Sequence, residues 1–272
     1  MVKICFLIAP VVAFFAVMNV EAQGETIFGA TFDSSKTAEI AVGDPVPTTP
    51  GLTVIDHVNV KFGGGSLDPT LVTSGGNGMR YSTAGNFNPL VGTVDFWFRA
   101  PNWSGFPRQD LFSIFAGGYT GDVAIYLLND NFGGKLAVDV DVAGRNQWAL
   151  RGTSSSSVFG DGQWHHVAYE WDTTSGTIGL FLDGVLESNT NLVGGAPITF
   201  TGGTLGAFME VGSRQNGYDP LTGNIDDLRI SSVALHNGQN FTPPIRSTIV
   251  PEPGTAVLIV TASLLLLNVR RN

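Results

Sequence analysis

Apolar and polar positions alternate with a period of two through most of this chain. Val94, Phe96 and Phe98 interleave with Asp95, Trp97 and Arg99, and Leu136, Val138, Val140 and Val142 interleave with Ala137, Asp139 and Asp141. Ile178, Leu180 and Leu182 form a third such segment, closed by Asp183-Gly184, a strong hairpin dipeptide, before Val185-Leu186-Glu187. Shorter apolar runs lie at 111–115, 123–128 and 208–211. Gly63-Gly64-Gly65, Gly75-Gly76, Gly117-Gly118 and Gly202-Gly203 mark turns between them. Ser154–Ser157 reads as a flexible polar loop, and Pro45–Pro50, rich in Pro and Thr, as an extended one. No amphipathic helix and no internal repeat is evident. Many short strands separated by tight turns predict an all-β fold, an antiparallel β-sandwich or jelly roll.

Both ends depart from this pattern. Lys3 precedes the apolar run Ile4–Val17, and Val20-Glu21-Ala22 places small residues at −3 and −1 of a cleavage site. Residues 1–22 are thus expected to be a signal peptide, leaving Gln23 as the mature start. Cys5 lies inside this leader, so the mature protein has no cysteine. That excludes a disulfide framework, a thiolate metal site and a Cys nucleophile. At the other end, Val250-Pro251-Glu252-Pro253-Gly254 precedes an apolar run from Thr255 to Val269 and then Arg270-Arg271-Asn272. As a helix that run rises about 22 Å, short against a bilayer core of ~30 Å. Arg270 and Arg271 would hold its end on the cytoplasmic side. An ordinary C-terminal transmembrane anchor is the other reading.

This tail resembles the PEP-CTERM sorting signal of Gram-negative bacteria. The resemblance implies transient membrane insertion, cutting near Pro251-Glu252-Pro253 by an exosortase-type protease, and delivery to the outer surface or extracellular matrix. The expected organisation is a signal peptide over 1–22, one domain over 23–246 and a sorting tail over 247–272.

Composition sharpens the picture of the body. With 35 Gly, 18 Phe and 14% charged residues against 43% hydrophobic, it suits a strand-rich fold with many turns. A formal net charge of −9 and a pI near 4.7 repel phosphate backbones and disfavour nucleic acid as a partner.

Within the body, Asp161-Gly162-Gln163-Trp164-His165-His166-Val167-Ala168-Tyr169, followed by Leu180-Phe181-Leu182-Asp183-Gly184, resembles the hallmark hairpin of laminin G-like domains. Gly92–Arg99 resembles the family's earlier strand, Phe62–Leu67 the stretch before it, and Gly223–Ile230 its last strand. The resemblance covers most of Phe28–Ser232. It implies the concanavalin A-like jelly roll shared with pentraxins, legume-type lectins and laminarinase-type glucanases.

That fold serves both sugar binders and hydrolases, so the site must decide. The glucanase branch needs Glu-x-Asp-x-x-Glu on one strand. Here Glu170-Trp171-Asp172 continues into Thr173-Thr174-Ser175 and the third acid is missing, so no catalytic residue is assigned. His165 and His166 are adjacent on a strand and point to opposite faces, which argues against a shared metal. Asp139-x-Asp141 with Gly144 lacks the later positions of a calcium loop. Asp226 is different. Period two from Leu228 and Ile230 puts its carboxylate on the core face, with Ile225 outward unless a bulge intervenes. An inward carboxylate needs a partner: backbone N–H groups, an Arg, or a structural Ca²⁺ held with Asp33, as jelly rolls of this superfamily often hold one.

Aromatic residues outside the strand cores are the candidates for ligand contact, because sugar rings stack on flat apolar surfaces. Trp103, Tyr119, Trp148 and Tyr218 meet that description, and Arg151 stands beside Trp148 with hydroxyl-binding capacity. The sequence thus predicts an exported, non-enzymatic module in the envelope of a Gram-negative bacterium that binds carbohydrate or matrix. A structural or protein-adhesion component without a sugar site is the alternative, and a glycoside hydrolase the weaker one. The partners expected are an extracellular polysaccharide or a matrix protein.

Overall fold

Alternation is realised as two stacked antiparallel sheets. The computed structural model describes residues 25–49, 51–72, 78–101, 107–114, 123–129, 133–142, 145–191 and 206–249. The leader, the tail with Pro251, Glu252, Pro253, Arg270 and Arg271, and the residues Trp103 and Tyr119 lie outside the described residues. No helix among the described residues is long and apolar enough to cross a membrane.

In chain order the strands are β1 (Thr26–Ala30), β2 (Ile40–Ala41), β3 (Val54–Asp56), β4 (Ser66–Asp68), β5 (Met79–Ser82), β6 (Val91–Arg99), β7 (Arg108–Ile114), β8 (Val123–Leu128), β9 (Lys135–Val142), β10 (Arg145–Ser155), β11 (Trp164–Asp172), β12 (Thr177–Leu182), β13 (Val185–Asn191), β14 (Phe208–Val211) and β15 (Asn224–Ser231). A nine-stranded sheet runs β13-β12-β11-β6-β15-β1-β2, with β4 paired to β15 and β3 to β4. A six-stranded sheet runs β10-β9-β8-β7-β14-β5. One residue set from each strand fills the space between them. Val94, Phe96 and Phe98 from β6 and Val167, Tyr169 and Trp171 from β11 meet Val123, Ile125 and Leu127 from β8 and Leu136, Val138 and Val140 from β9. Phe87 stacks on Trp171 at 4.8 Å, and Trp171 on Tyr169 at 5.4 Å. Such ring pairs add to simple area burial.

The turn chemistry follows the sequence. Asp183 and Gly184 both take positive φ, 50° and 77°, joining β12 to β13 as a two-residue hairpin. A Cβ on Gly184 would lie 2.0 Å from the Phe241 carbonyl, so glycine is required there on two counts. Ser154 and Ser155 end β10 and Ser156–Phe159 form a one-turn helix, α1, where the sequence suggested a flexible loop. The cause is Glu187 on β13. Its carboxylate accepts from the backbone N–H and hydroxyl of both Thr153 and Ser154 at 2.6–2.8 Å, tying the edges of the two sheets together.

β15 corrects the orientation read for Asp226. The ladder with β6 shifts register between Asp226 and Arg229, and Asp227 takes φ 53°. This bulge lets Ile225, Leu228 and Ile230 all enter the core and turns Asp226 to the outer face of the sheet, opposite Trp97 in register.

A strap formed by residues 232–249 crosses that outer face. Thr93 Oγ1 donates to Val233 O and accepts from Leu235 N at 2.9 and 3.0 Å. The Glu170 carboxylate accepts from the His236 and Gly238 amides at 2.9 and 2.6 Å. Phe241 N donates to Gly184 O at 2.9 Å, and Asp227 receives Ser247 Oγ and Thr248 N. The body therefore includes Ser247–Ile249, with Ile249 buried against Gly29. Beneath the strap, Arg229 contacts the buried Asp95 carboxylate at 3.0 Å, and His166 Nε2 lies 3.6 Å from Asp95. Burial would push Asp95 up, but Arg229 and His166 hold it below the ordinary carboxylate range.

Candidate functional site

The outer face of the six-stranded sheet differs in kind, because its outward positions carry ionic and aromatic groups. Strand register assembles them in two rows. Arg80 on β5 faces Glu210 on β14, which faces Ser113 on β7, then Ala124 on β8, then Asp139 on β9. Asp110 on β7 faces Tyr126 on β8, then Ala137 on β9, then Arg151 on β10. No two of these partners are close in sequence; only the sheet brings them together.

Arg108, two residues before Asp110 on β7 and opposite Leu128, links the two rows. Its Nε and Nη2 donate to the two Asp110 oxygens at 2.7 and 2.6 Å, the bidentate geometry that suits a guanidinium. Its Nη1 reaches Asp139 at 3.4 Å, and Arg151 Nη1 contacts the other Asp139 oxygen at 3.3 Å. The Arg108 guanidinium carbon sits 3.6 Å from the centre of the Tyr126 ring, within cation–π range. Burial pushes Asp110 up to about 6, while the Arg108 guanidinium pulls the other way. Burial alone would lower Arg108, but Asp110 reverses this and holds it firmly protonated. Burial, assisted by Asp139, raises Tyr126, which stays a neutral phenol. Arg151 is 42% exposed, so the row opens to solvent at this end. In the first row Arg80 Nε donates to Glu210 at 2.8 Å beside the half-exposed Phe208.

Of the residues singled out from sequence, Arg151 lies on this face. Tyr218, 48% exposed, stands in a turn whose backbone pairs with Arg214 and which meets β7 at Asp110, where Asp110 N donates to Asp219 O at 2.8 Å. Trp148 lies in β10 with Val140 as its register partner. Sequence reasoning passed over Arg80, Arg108, Asp110, Tyr126 and Glu210. The strand alternation that identified core positions would also have marked Tyr126 as outward, since it falls between Ile125 and Leu127.

The histidines behave as strand neighbours should, on opposite faces. His165 Nδ1 lies 2.7 Å from Asp183 and Nε2 3.1 Å from Asp161, clamping the hairpin turn, and these carboxylates outweigh burial to raise its pKa. His166 is the fully buried one, under the strap. Asp33 and Asp226 converge on one loop. Asp226 Oδ2 accepts from Lys61 N and Phe62 N at 2.9 and 3.0 Å, and Asp33 Oδ1 from Gly64 N at 2.6 Å. The backbone partner foreseen for Asp226 is therefore present. Its Oδ1 has no hydrogen-bond partner, and burial raises the group to about 7. That lone acceptor fits a cation. Yet among the described residues no three His, Cys, Asp or Glu side chains are grouped to hold one, so further ligands would have to be carbonyls or waters.

The architecture has known counterparts. Domain 4 of AbnA, an extracellular GH43 arabinanase from Geobacillus stearothermophilus solved with arabinotriose, superposes with a TM-score of 0.58 at 18% identity, covering 80% of this chain and 97% of that one. The botulinum neurotoxin serotype D binding domain gives 0.57 at 13% identity, over 77% of this chain and 48% of its own. The CBM40 of a Ruminococcus gnavus IT-sialidase, bound to α2,3 sialyllactose, gives 0.47 at 16%, over 60% and 90%. A comparison with curated proteins finds no match. The model of the concanavalin A-like lectin/glucanases superfamily matches residues 73–239, which span the hallmark β11–β12 hairpin, β6 and the last strand. With the sandwich, the strand order and that match in agreement, the chain belongs to the concanavalin A-like lectin/glucanase superfamily, as a laminin G-like member.

Proposed function

We propose that this protein is an exported, non-catalytic module that binds saccharide on the outer face of its six-stranded sheet. The observation that carries the reading is the Asp110–Arg108–Asp139–Arg151 array over Tyr126. A sugar hydroxyl both donates and accepts, so adjacent hydroxyls match the solvent-reaching Arg151 guanidinium and the Asp139 carboxylate beside it, with Arg108 on the buried Tyr126 ring as their support. A non-catalytic role is supported by Glu170, whose two oxygens are both taken by strap amides. The alternative is a matrix or protein-adhesion component without a sugar site. Affinity electrophoresis of the full chain through gels containing neutral and acidic polysaccharides, with arabinotriose as a soluble competitor, decides between them. Retention that falls at least tenfold in Arg151→Ala supports the proposal. Unretarded migration in every gel favours the adhesion reading, and release of reducing ends would mean a glycosidase.

Export to the envelope of a Gram-negative bacterium belongs to the same proposal, with exosortase-type processing of the tail. Intact mass of envelope material should lack the residues before Gln23 and those after about Pro253. Material ending at Asn272 and extracted only by detergent would mean a retained anchor. A structural Ca²⁺ at Asp226 or Asp33 is favoured by the unpartnered Asp226 Oδ1. Identical melting in chelator and in excess Ca²⁺ would remove it.

A further inference from the structure

A concavity among the described residues lies on the opposite side of the molecule from the ionic array. It is a cleft of about 630 Å³ where the strap turn meets the β11–β12 end of the nine-stranded sheet. Glu170, Asp172, Thr177, Asn189, Asn237 and Gln239 contribute to its walls.

These groups are not equivalent. Glu170 is spent on the strap amides of His236 and Gly238. Asp172 receives Thr174 N at 2.8 Å, and such hydrogen bonds outweigh burial and keep it below the ordinary carboxylate range. Ser175 and Thr177 hydroxyls bond one another at 2.8 Å. The carboxamides of Asn189, Asn237 and Gln239, in contrast, make no side-chain hydrogen bond to described residues and remain open to a ligand. Their support is rigid. The strap turn is closed by Gln239 N donating to His236 O at 2.9 Å and by Glu170, with Asn237 and Gly238 both at positive φ, 50° and 71°.

We infer that this cleft is a second binding site, for a neutral, hydroxyl-rich saccharide segment. Each carboxamide offers donors and an acceptor side by side, the complement of a pair of vicinal hydroxyls. Among the described residues no basic side chain lines the cleft, while Glu170 and Asp172 stand in its wall, which disfavours carboxylated or sulfated sugars. The cleft is large enough for a short oligosaccharide. It is structurally separate from the Arg108–Arg151 face, and its occupancy does not depend on that reading. If both sites bind, one module holds two saccharide segments on opposite sides.

The test titrates the full ¹⁵N-labelled chain with a pool of neutral trisaccharides (arabino-, xylo-, cello- and mannotriose) and follows side-chain amide resonances. Saturable shifts are expected at Asn189, Asn237 and Gln239. They should persist in Arg151→Ala, and the apparent affinity should drop at least tenfold in Asn189→Ala combined with Asn237→Gly, a change that keeps the positive-φ turn while removing the amide. Unchanged backbone spectra of that variant establish its fold. Amide resonances that stay fixed through the titration overturn the second site. Shifts confined to residues around Arg108 and Arg151 overturn it too while upholding the proposed function, and shifts at the carboxamides alone uphold the second site against the first.

Discussion

The two outer faces of this sandwich put the same residue types to opposite uses. On the nine-stranded sheet, Asp95, Arg229 and His166 are sealed beneath the 232–249 strap. On the six-stranded sheet, Arg108, Asp139 and Arg151 form a comparable ion-pair chain that reaches solvent. A sealed pair has shed its water and is intolerant of losing one member. An open pair has kept part of its hydration, contributes little to stability and is free to exchange partners with a ligand. The charges under the strap hold the fold together, while those of the six-stranded face keep contact with solvent.

The sharpest way to break this contrast is to remove one partner on each side. Asp95→Ala strands the Arg229 guanidinium under the strap and should cost about 3–5 kcal/mol, read from urea unfolding. A loss no larger than that of a surface variant would mean the strap is open in solution. Next in size is the joint between the sheets. Glu187→Ala leaves four donors of Thr153 and Ser154 without their carboxylate and should cost about 1.5–3 kcal/mol. An unchanged urea midpoint would show that the sheet edges do not depend on this carboxylate.

A smaller effect concerns pH. Asp226 has a folded pKa near 7, raised chiefly by burial, against about 3.9 in the unfolded chain. Folding therefore takes up a proton, which Oδ1 can carry while Oδ2 keeps its two amides. The stabilisation is complete below about pH 4 and is lost as pH rises through about 7. The melting temperature in chelator should decline across that window, and Asp226→Asn should flatten the decline. A slope unaltered by the substitution would place its origin elsewhere. Smallest of all in stability is Arg151→Ala on the open face, expected within about 0.5 kcal/mol of wild type. The same variant should nevertheless weaken polysaccharide retention. A large stability loss there would erase the distinction between the faces.

Most of the core could be read directly from the chain. Val94, Phe96 and Phe98 or Leu136, Val138 and Val140 declare their shared face because strand side chains alternate. Asp183-Gly184 declared its turn because both positions need positive φ. The ionic face was legible only in part. Arg151 was found through its neighbourhood, whereas Arg108, Asp110 and Tyr126 were missed, since no local signal says which outward residues of separate strands will share a row. Asp226 was assigned to the core face because period two was extended through Asp227, where a single extra residue reverses every side chain before it.

The sequence by itself determined the all-β class, the inner face of most strands, the hairpin and the family hallmark, all of which rest on local periodicity and turn stereochemistry. The tertiary structure decided the rest. Register across β5, β14, β7, β8, β9 and β10 assembled the ionic rows, and the path of residues 232–249 decided which charges were sealed and which stayed open. Those outcomes depend on contacts between separate strands, some of them more than a hundred residues apart, such as Asp95 with Arg229 and Arg80 with Glu210. Local pattern carries no record of them, because the groups acquire their partners and lose their water only when the sheets stack.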